Sequence, residues 1–185
     1  MADNAVSVSG QYRLADGRMV TIRPVRAEDA ERMSRFLTDS SGETRYRRFH
    51  KWVQIPTGKI IQYMTEVDYN RHLSLVCTVP SNAGEKIVGE AGYVVNADGR
   101  SCEFDIMIED TWQRTGIAGL LMALLIRAAR QRGLAQMDGL VLSSNLDMLR
   151  FARALGFETH VIPEDPTTTR IDKKLDATPR REKPA

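Results

Sequence analysis

Cysteine is scarce in this chain. The two present, Cys77 and Cys102, stand far apart with no CxxC spacing and no paired histidines beside them. That pattern excludes the usual structural zinc arrangements and a disulfide framework, so no metal is expected and a reducing, cytoplasmic setting fits. Long hydrophobic runs are also missing. The longest, Gly116 to Ile126, is too short to span a bilayer, and the opening MADNAVSVSG lacks the charged-then-apolar order of a signal peptide. No membrane partner is expected. Nor is there a basic block outside the terminal PRREKPA, although the formal net charge is +2 at pH 7. The electrostatic footprint that nucleic acid demands is therefore absent.

What is present fits one domain: 185 residues carry enough apolar side chains to bury a sizeable core. Residues 13–175 are expected to form it, with 1–12 and 176–185 as flexible ends. MVTIRPV alternates and is rich in β-branched residues, so Met19 to Val25 reads as a strand. AEDAERMSRFLTD places Ala30, Met33, Phe36 and Leu37 at helical spacing behind Glu28 and Asp29. Glu43 to Phe49 and GKIIQYMTEV supply two shorter helices. HLSLVCTV, KIVGEAGYVV and SCEFDIMIE then read as successive strands separated by turn-like PSNAGE and NADG, the pattern of an antiparallel meander. A long helix from Gly116 to Arg132 follows, then the strand DGLVLS, a helix over Asn145 to Ala154, and closing strands in FETHVI and TTTRIDKKL.

The segment EDTWQRTGIAGLLMALLIRAARQRG turns from polar to apolar at a glycine. A strand, a glycine-bearing turn and then a helix is the arrangement that aims free backbone N–H groups at an anion, with phosphate the natural guest. It is not a P-loop, which requires a lysine directly after its second glycine. Nor is it a dinucleotide fingerprint, because Gly116-Ile117-Ala118-Gly119 has the wrong glycine spacing. A glycine at a helix start also arises for purely conformational reasons.

Gln113, Arg114, Thr115, Gly116, Ile117 and Ala118 match the pattern [QR]-x-x-G-x-[GA]. The segment thereby resembles the acyl-CoA loop of the GNAT N-acetyltransferase superfamily. The resemblance implies an α/β fold of the α+β type: a central mixed, mostly antiparallel sheet of about six to seven strands flanked by about four helices, splayed where acetyl-CoA inserts. It further implies that the amides of Gln113 to Gly119 hold the pyrophosphate and that the strand Phe104 to Ile108 lends backbone groups at Ile106, Met107 and Ile108 to the pantetheine arm. Oriented N–H groups and a helix dipole bind a diphosphate without lysine or metal, and Arg114 adds a charge-assisted contact.

NLDMLRFARALGF resembles a second family segment, in which Asn145 would face the cofactor. Many members carry a tyrosine seven residues after that asparagine as general acid toward the thiolate, and here the position is Ala152. Met148, Phe151, Ala152 and Leu155 serve an amphipathic core helix in either case. DGRMVTIRPVRAEDAERM, TRYRRF and VDYNRHLSLV extend the likeness, from Asp16 to Ile162, toward the subgroup related to bacterial protein lysine acetyltransferases. Thr115 and Ala118 replace two customary glycines, which implies a stiffer turn.

The implied reaction moves an acetyl group from acetyl-CoA directly to a primary amine, most naturally a protein lysine. A lysine amine, with an ordinary pKa of about 10.4, is almost wholly protonated at neutral pH, so a base must take its proton. By resemblance Glu103 is that base. Asp105 lies two residues on along the same face, where a like charge could raise one carboxyl pKa, and two half-exposed acids pointing at solvent are the plainer alternative. His72 reads as a strand cap or a base. Arg45, Tyr46, Arg48 and Phe49 fall where the family places its acceptor-side helices, and a basic amphipathic surface explains them equally. Two other readings stay open: acetylation of a small amine such as a polyamine, amino acid or aminoglycoside, and a non-catalytic acyl-CoA sensor. A homodimer stays open as a further partner.

Overall fold

The computed structural model describes residues 8–51 and 57–175. The expectation of a flexible tail at 176–185 lies outside them. Among the described residues the strands are β1 (Gly10–Arg13), β2 (Met19–Pro24), β3 (His72–Ser81), β4 (Gly84–Val95), β5 (Ser101–Ile108), β6 (Gln136–Leu142), β7 (Glu158–Val161) and β8 (Thr168–Lys174). The helices are α1 (Ala30–Asp39), α2 (Gly42–Phe49), α3 (Gly58–Thr65), α4 (Ile117–Gln131) and α5 (Leu146–Ala154). The eight strands follow the order β1-β2-β3-β4-β5-β6-β8-β7. The sheet is mixed, because β5 and β6 pair in parallel, whereas β1–β2, β2–β3, β6–β8 and β7–β8 are antiparallel. A parallel pair cannot be closed by a tight turn, and α4 supplies the crossover.

One strand corrects the sequence reading. Gly10–Arg13, most of it assigned to a flexible start, is β1, registered from Gly10↔Ile22 to Arg13↔Met19. The turn that folds it back is short: Leu14 N–H donates to the Arg18 carbonyl at 2.8 Å, and Asp16 accepts the Arg18 N–H at 3.0 Å. The Asp16-Gly17 dipeptide was the available signal for such a hairpin.

Backbone contacts divide the chain into two compact units, Met1–Tyr93 with Asp105–Leu125, and Val94–Phe104 with Ile126–Ala185. In the first, the apolar stripe of α1 puts Met33, Phe36 and Leu37 into a core with Val25, Val76 and Ile87, all fully buried. That is the face which helical spacing predicts. The entry to α1 is fixed by a buried ion pair, Arg23 to Asp29 at 2.7 Å, with Glu85 on the other guanidinium nitrogen at 2.7 Å. Burial opposes charge on Asp29, but hydrogen bonds from Arg23 and the Arg26 N–H outweigh it and hold the carboxyl below its ordinary range.

In the second unit β6 registers with β8 over its whole length, Gln136↔Lys174 to Leu142↔Thr168. Phe104 packs on Phe157 with ring centroids 5.2 Å apart. Gly139 is needed there for close approach, since a Cβ would meet the Phe104 ring at 2.9 Å. Helix α5 ends with Gly156 in the left-handed region and Phe157 N–H returning to the Ala152 carbonyl at 3.0 Å, a Schellman closure.

Candidate active site

The turn between β5 and α4 is built from local hydrogen bonds. A 3-10 turn over Asp110–Trp112 follows β5. Gln113 then extends its side-chain amide back to the Ile108 carbonyl at 3.2 Å and the Thr44 hydroxyl at 3.3 Å. Arg114 adopts a left-handed φ of 62°, and Thr115 turns its hydroxyl onto the Trp112 carbonyl at 2.7 Å. Gly116 has φ 94°, a conformation that L side chains rarely adopt. Ile117, fully buried, anchors the first turn of α4. The first i→i−4 bond runs from the Leu120 N–H to the Gly116 carbonyl at 3.1 Å. The amides of Ile117, Ala118 and Gly119 precede it and have no carbonyl within the helix to bond. A Cβ built on Gly116 or Gly119 meets nothing within 4 Å, so the space beside the turn is open. Amides, dipole and room together suit a diphosphate.

Asp110 ties this turn to α2. Its carboxylate accepts the Ser41 N–H, the Ser41 hydroxyl and the Thr44 hydroxyl, each at 2.8 Å. Ser41 in turn caps α2 by accepting the Thr44 N–H at 3.1 Å. Burial works against the Asp110 charge, yet the hydrogen bonds from Ser41 and Thr44 win and lower the carboxyl below its usual range.

The arginines of α2 are engaged inside the chain. Arg45 donates to the carbonyls of Leu37 at 3.0 Å and of Ser40, closing the end of α1. Arg47 pairs with Glu43 at 2.5 Å on the surface. Arg48 turns inward to Asp105, with Nη2 2.7 Å from Oδ1. Its Nε lies 3.9 Å from Oε2 of Glu90, a buried acid on β4 whose Oε1 accepts the Ser74 hydroxyl at 2.8 Å. Burial first, and the Asp105 charge second, push Glu90 up to about 8. The like-charged neighbour that perturbs a carboxyl in this unit is therefore Glu90 with Asp105, and Glu90 was not picked out from the sequence. A glutamate in the middle of an apolar strand, KIVGEAGYVV, was the signal.

Ile106, Met107 and Ile108 end β5, with Met107 buried. Glu103 is an exposed residue of the second unit. In the parallel register it lies opposite Asp138, whose carboxyl burial pushes upward. Asn145 caps α5, accepting the Met148 N–H at 3.2 Å, which leaves its amide nitrogen for other use. Ala152 is buried and carries no ionisable group. His72 begins β3, where its N–H donates to Asp68 at 2.9 Å and its ring lies 5.1 Å from that of Tyr63. Burial keeps its imidazole below the ordinary value. His50 ends α2 in the left-handed region, and His160 sits 2.6 Å from Asp172.

The model of an acetyltransferase (GNAT) domain matches residues 19–158. The chain belongs to the GNAT acetyltransferase family. It is 32% identical over 154 residues to an acetyltransferase of Pseudomonas aeruginosa, covering 83% of each chain. With the acetyltransferase Pat of Mycolicibacterium smegmatis it is 32% identical over 141 residues, 76% of this chain but 41% of that protein. The GNAT domain of S. lividans PAT superposes with a TM-score of 0.83 at 23% identity, covering 91% of this chain and 97% of that one, a likeness of fold.

As in other GNAT acetyltransferases, acetyl-CoA is the cosubstrate. The residues fit it: the Ile117 to Gly119 amides and the open space at Gly116 and Gly119 make a cradle for its pyrophosphate. Among the described residues no group of His, Cys, Asp and Glu is arranged for a metal, and no helix is long and apolar enough to cross a membrane.

The Asp110 hub yields a prediction on this GNAT protein. Asp110→Asn should lower stability by about 1 kcal/mol at pH 7, the usual worth of a helix-end hydrogen-bond set. Because the folded carboxyl is lowered, its contribution is present above the ordinary carboxylate range and lost as pH falls through the folded value. Urea unfolding should therefore show the gap between variant and wild type closing in acid.

Proposed function

We propose that the protein transfers the acetyl group of acetyl-CoA directly to the side-chain amine of a protein lysine, with Glu103 as general base. The observation that carries the transferase half is the turn from Gln113 to Gly119, where two left-handed residues, Arg114 and Gly116, hand the chain into α4 with its first amides unbonded within the helix. Acetyl-CoA supplies the activated thioester. The chain's own residues orient it, exclude competing geometry and take a proton from the amine.

A cationic acceptor is supported by the row of acids in the second unit. Glu103 registers with Asp138, and Asp138 with Asp172, so three carboxylates share one sheet face on neighbouring strands. An ammonium group is favoured beside such a row, and we assign Glu103, the most exposed of the three, to receive its proton, through a water where the amine is strongly basic. The protein-lysine reading rests on the resemblance of DGRMVTIRPVRAEDAERM, TRYRRF and VDYNRHLSLV to bacterial protein lysine acetyltransferases. Ala152 leaves protonation of the departing thiolate to solvent or another group.

Glu103→Gln keeps shape and hydrogen-bonding reach but cannot accept a proton. kcat should fall by about 10²- to 10⁴-fold while acetyl-CoA affinity stays level. Calorimetry and steady-state kinetics decide, and near-normal kcat at neutral pH removes Glu103 from the chemistry.

The acceptor is tested by CoA release and mass spectrometry over free lysine, polyamines, aminoglycosides and the host's own folded proteins. Catalytic efficiency should be far higher on a folded protein than on free lysine, because remote contacts orient the amine. A preference for a small amine would move the acceptor class, and acetyl-CoA binding without turnover on any amine would leave a sensor.

A further inference from the structure

Beneath α2, the sheet of the first unit carries polar groups from three strands: His72 and Ser74 on β3, Glu90 on β4 and Asp105 on β5. Arg48 comes down onto them from α2. We propose that Glu90 is a positioning residue for acetyl transfer, which through Ser74 and Arg48 sets where α2 is held on β5, the strand that leads into the phosphate turn. This rests on the acetyltransferase activity and adds to it a residue that neither the amine chemistry nor the phosphate turn requires.

The geometry gives one guanidinium two acids. Arg48 lies 2.7 Å from Asp105 and 3.9 Å from Glu90, and the side chains of Arg48 and Glu90 are only 10% and 3% exposed. Two ionised carboxylates on one buried cation leave a net negative charge with little solvent to screen it, a costly state. Retaining a proton on one acid avoids it. Glu90 is the more deeply buried of the two acids, and its Oε1 accepts the Ser74 hydroxyl at 2.8 Å. Burial and the Asp105 charge push it up to about 8 against the opposing pull of Arg48 and Ser74. At neutral pH Glu90 thus leaves Arg48 to Asp105.

Once Glu90 ionises, it competes for the same guanidinium. Its carboxyl is buried on β4 and holds the Ser74 hydroxyl at 2.8 Å, whereas Arg48 is carried by a helix. The cation is the mobile partner, and α2 carries it. The groups facing Glu90 are Arg48 from α2, Ser74 with His72 beyond it from β3, and Asp105 from β5.

The test compares wild type with Glu90→Gln, which fixes the neutral form. Acceptor kcat/KM is measured between about pH 6 and 10. Ionisation of the acceptor is common to both enzymes and cancels in their ratio. The ratio of wild type to variant should stay near one up to neutrality, then fall roughly tenfold through the Glu90 transition, chiefly in the acceptor KM, with acetyl-CoA Kd equal in both.

Thermal melting supplies a readout that needs no activity. A carboxyl raised in the folded state gives stability present below its ordinary range and lost as pH rises toward about 8. Wild type should lose that stability and Glu90→Gln should not. Ser74→Ala removes a donor that favours the carboxylate, so the inflection should move to higher pH. A flat ratio, an inflection unmoved by Ser74→Ala, or an equal loss of kcat at every pH in Glu90→Gln overturns the proposal. If wild type acetylates no amine, the enzyme reading fails, while the melting comparison still decides the charge state of Glu90.

Discussion

A short reversal of backbone handedness sets the start of α4, on which the proposed cosubstrate contact depends. Between Gln113 and Ile117 the chain must leave an extended strand and enter a helix, and it does so through positive φ at Arg114 and Gly116. The Thr115 hydroxyl and the Gln113 amide satisfy carbonyls that the turn would strand. Buried Ile117 then pins α4, so the amides at its start are directed by the core and not by a flexible loop. In the proposed contact the charge that faces the diphosphate belongs to the backbone.

The same turn organises its surroundings through polar side chains. Gln113 reaches Thr44, and Asp110 collects Ser41 and Thr44, so the start of α2 is bonded to the segment that leads into the phosphate turn. Further along α2, Arg48 meets Asp105. Helix α2 is thus fixed at its start to the segment after β5 and at its end to Asp105 of β5, and its arginines are structural in their contacts. The basic look of TRYRRF in sequence came from internal pairing.

Much of this was legible in the residues. Period-2 and period-3.6 apolar patterns place β2 to β8 and the helices because each element buries one face, and the glycine at the polar-to-apolar junction marks the start of α4. What sequence could not supply was pairing across strands. Asp105 reads as a partner of Glu103 by spacing, yet its carboxylate goes to Arg48, far away in the chain. Glu90 hid in an apolar strand, because its partners come from β3, β5 and α2. Strand β1 was missed because GQYR is too short to show alternation, and only the Asp16-Gly17 turn betrays it. Asp138 gained meaning only from the parallel register that sets it against Glu103.

The central claim is that backbone amides at the start of α4 hold the pyrophosphate, and Gly119 tests it most directly. Substitution at Gly116 would strain a φ of 94°, whereas Gly119 is helical and its added Cβ meets nothing within 4 Å. A glutamate in the first turn of a helix is favourable to folding, but it sets a negative charge beside the phosphates. Calorimetry with acetyl-CoA on Gly119→Glu and Gly119→Ala, each with an unchanged melting temperature, should show affinity lowered about 100-fold or more in the first and near wild type in the second. Undiminished acetyl-CoA affinity in a well-folded Gly119→Glu would contradict the account.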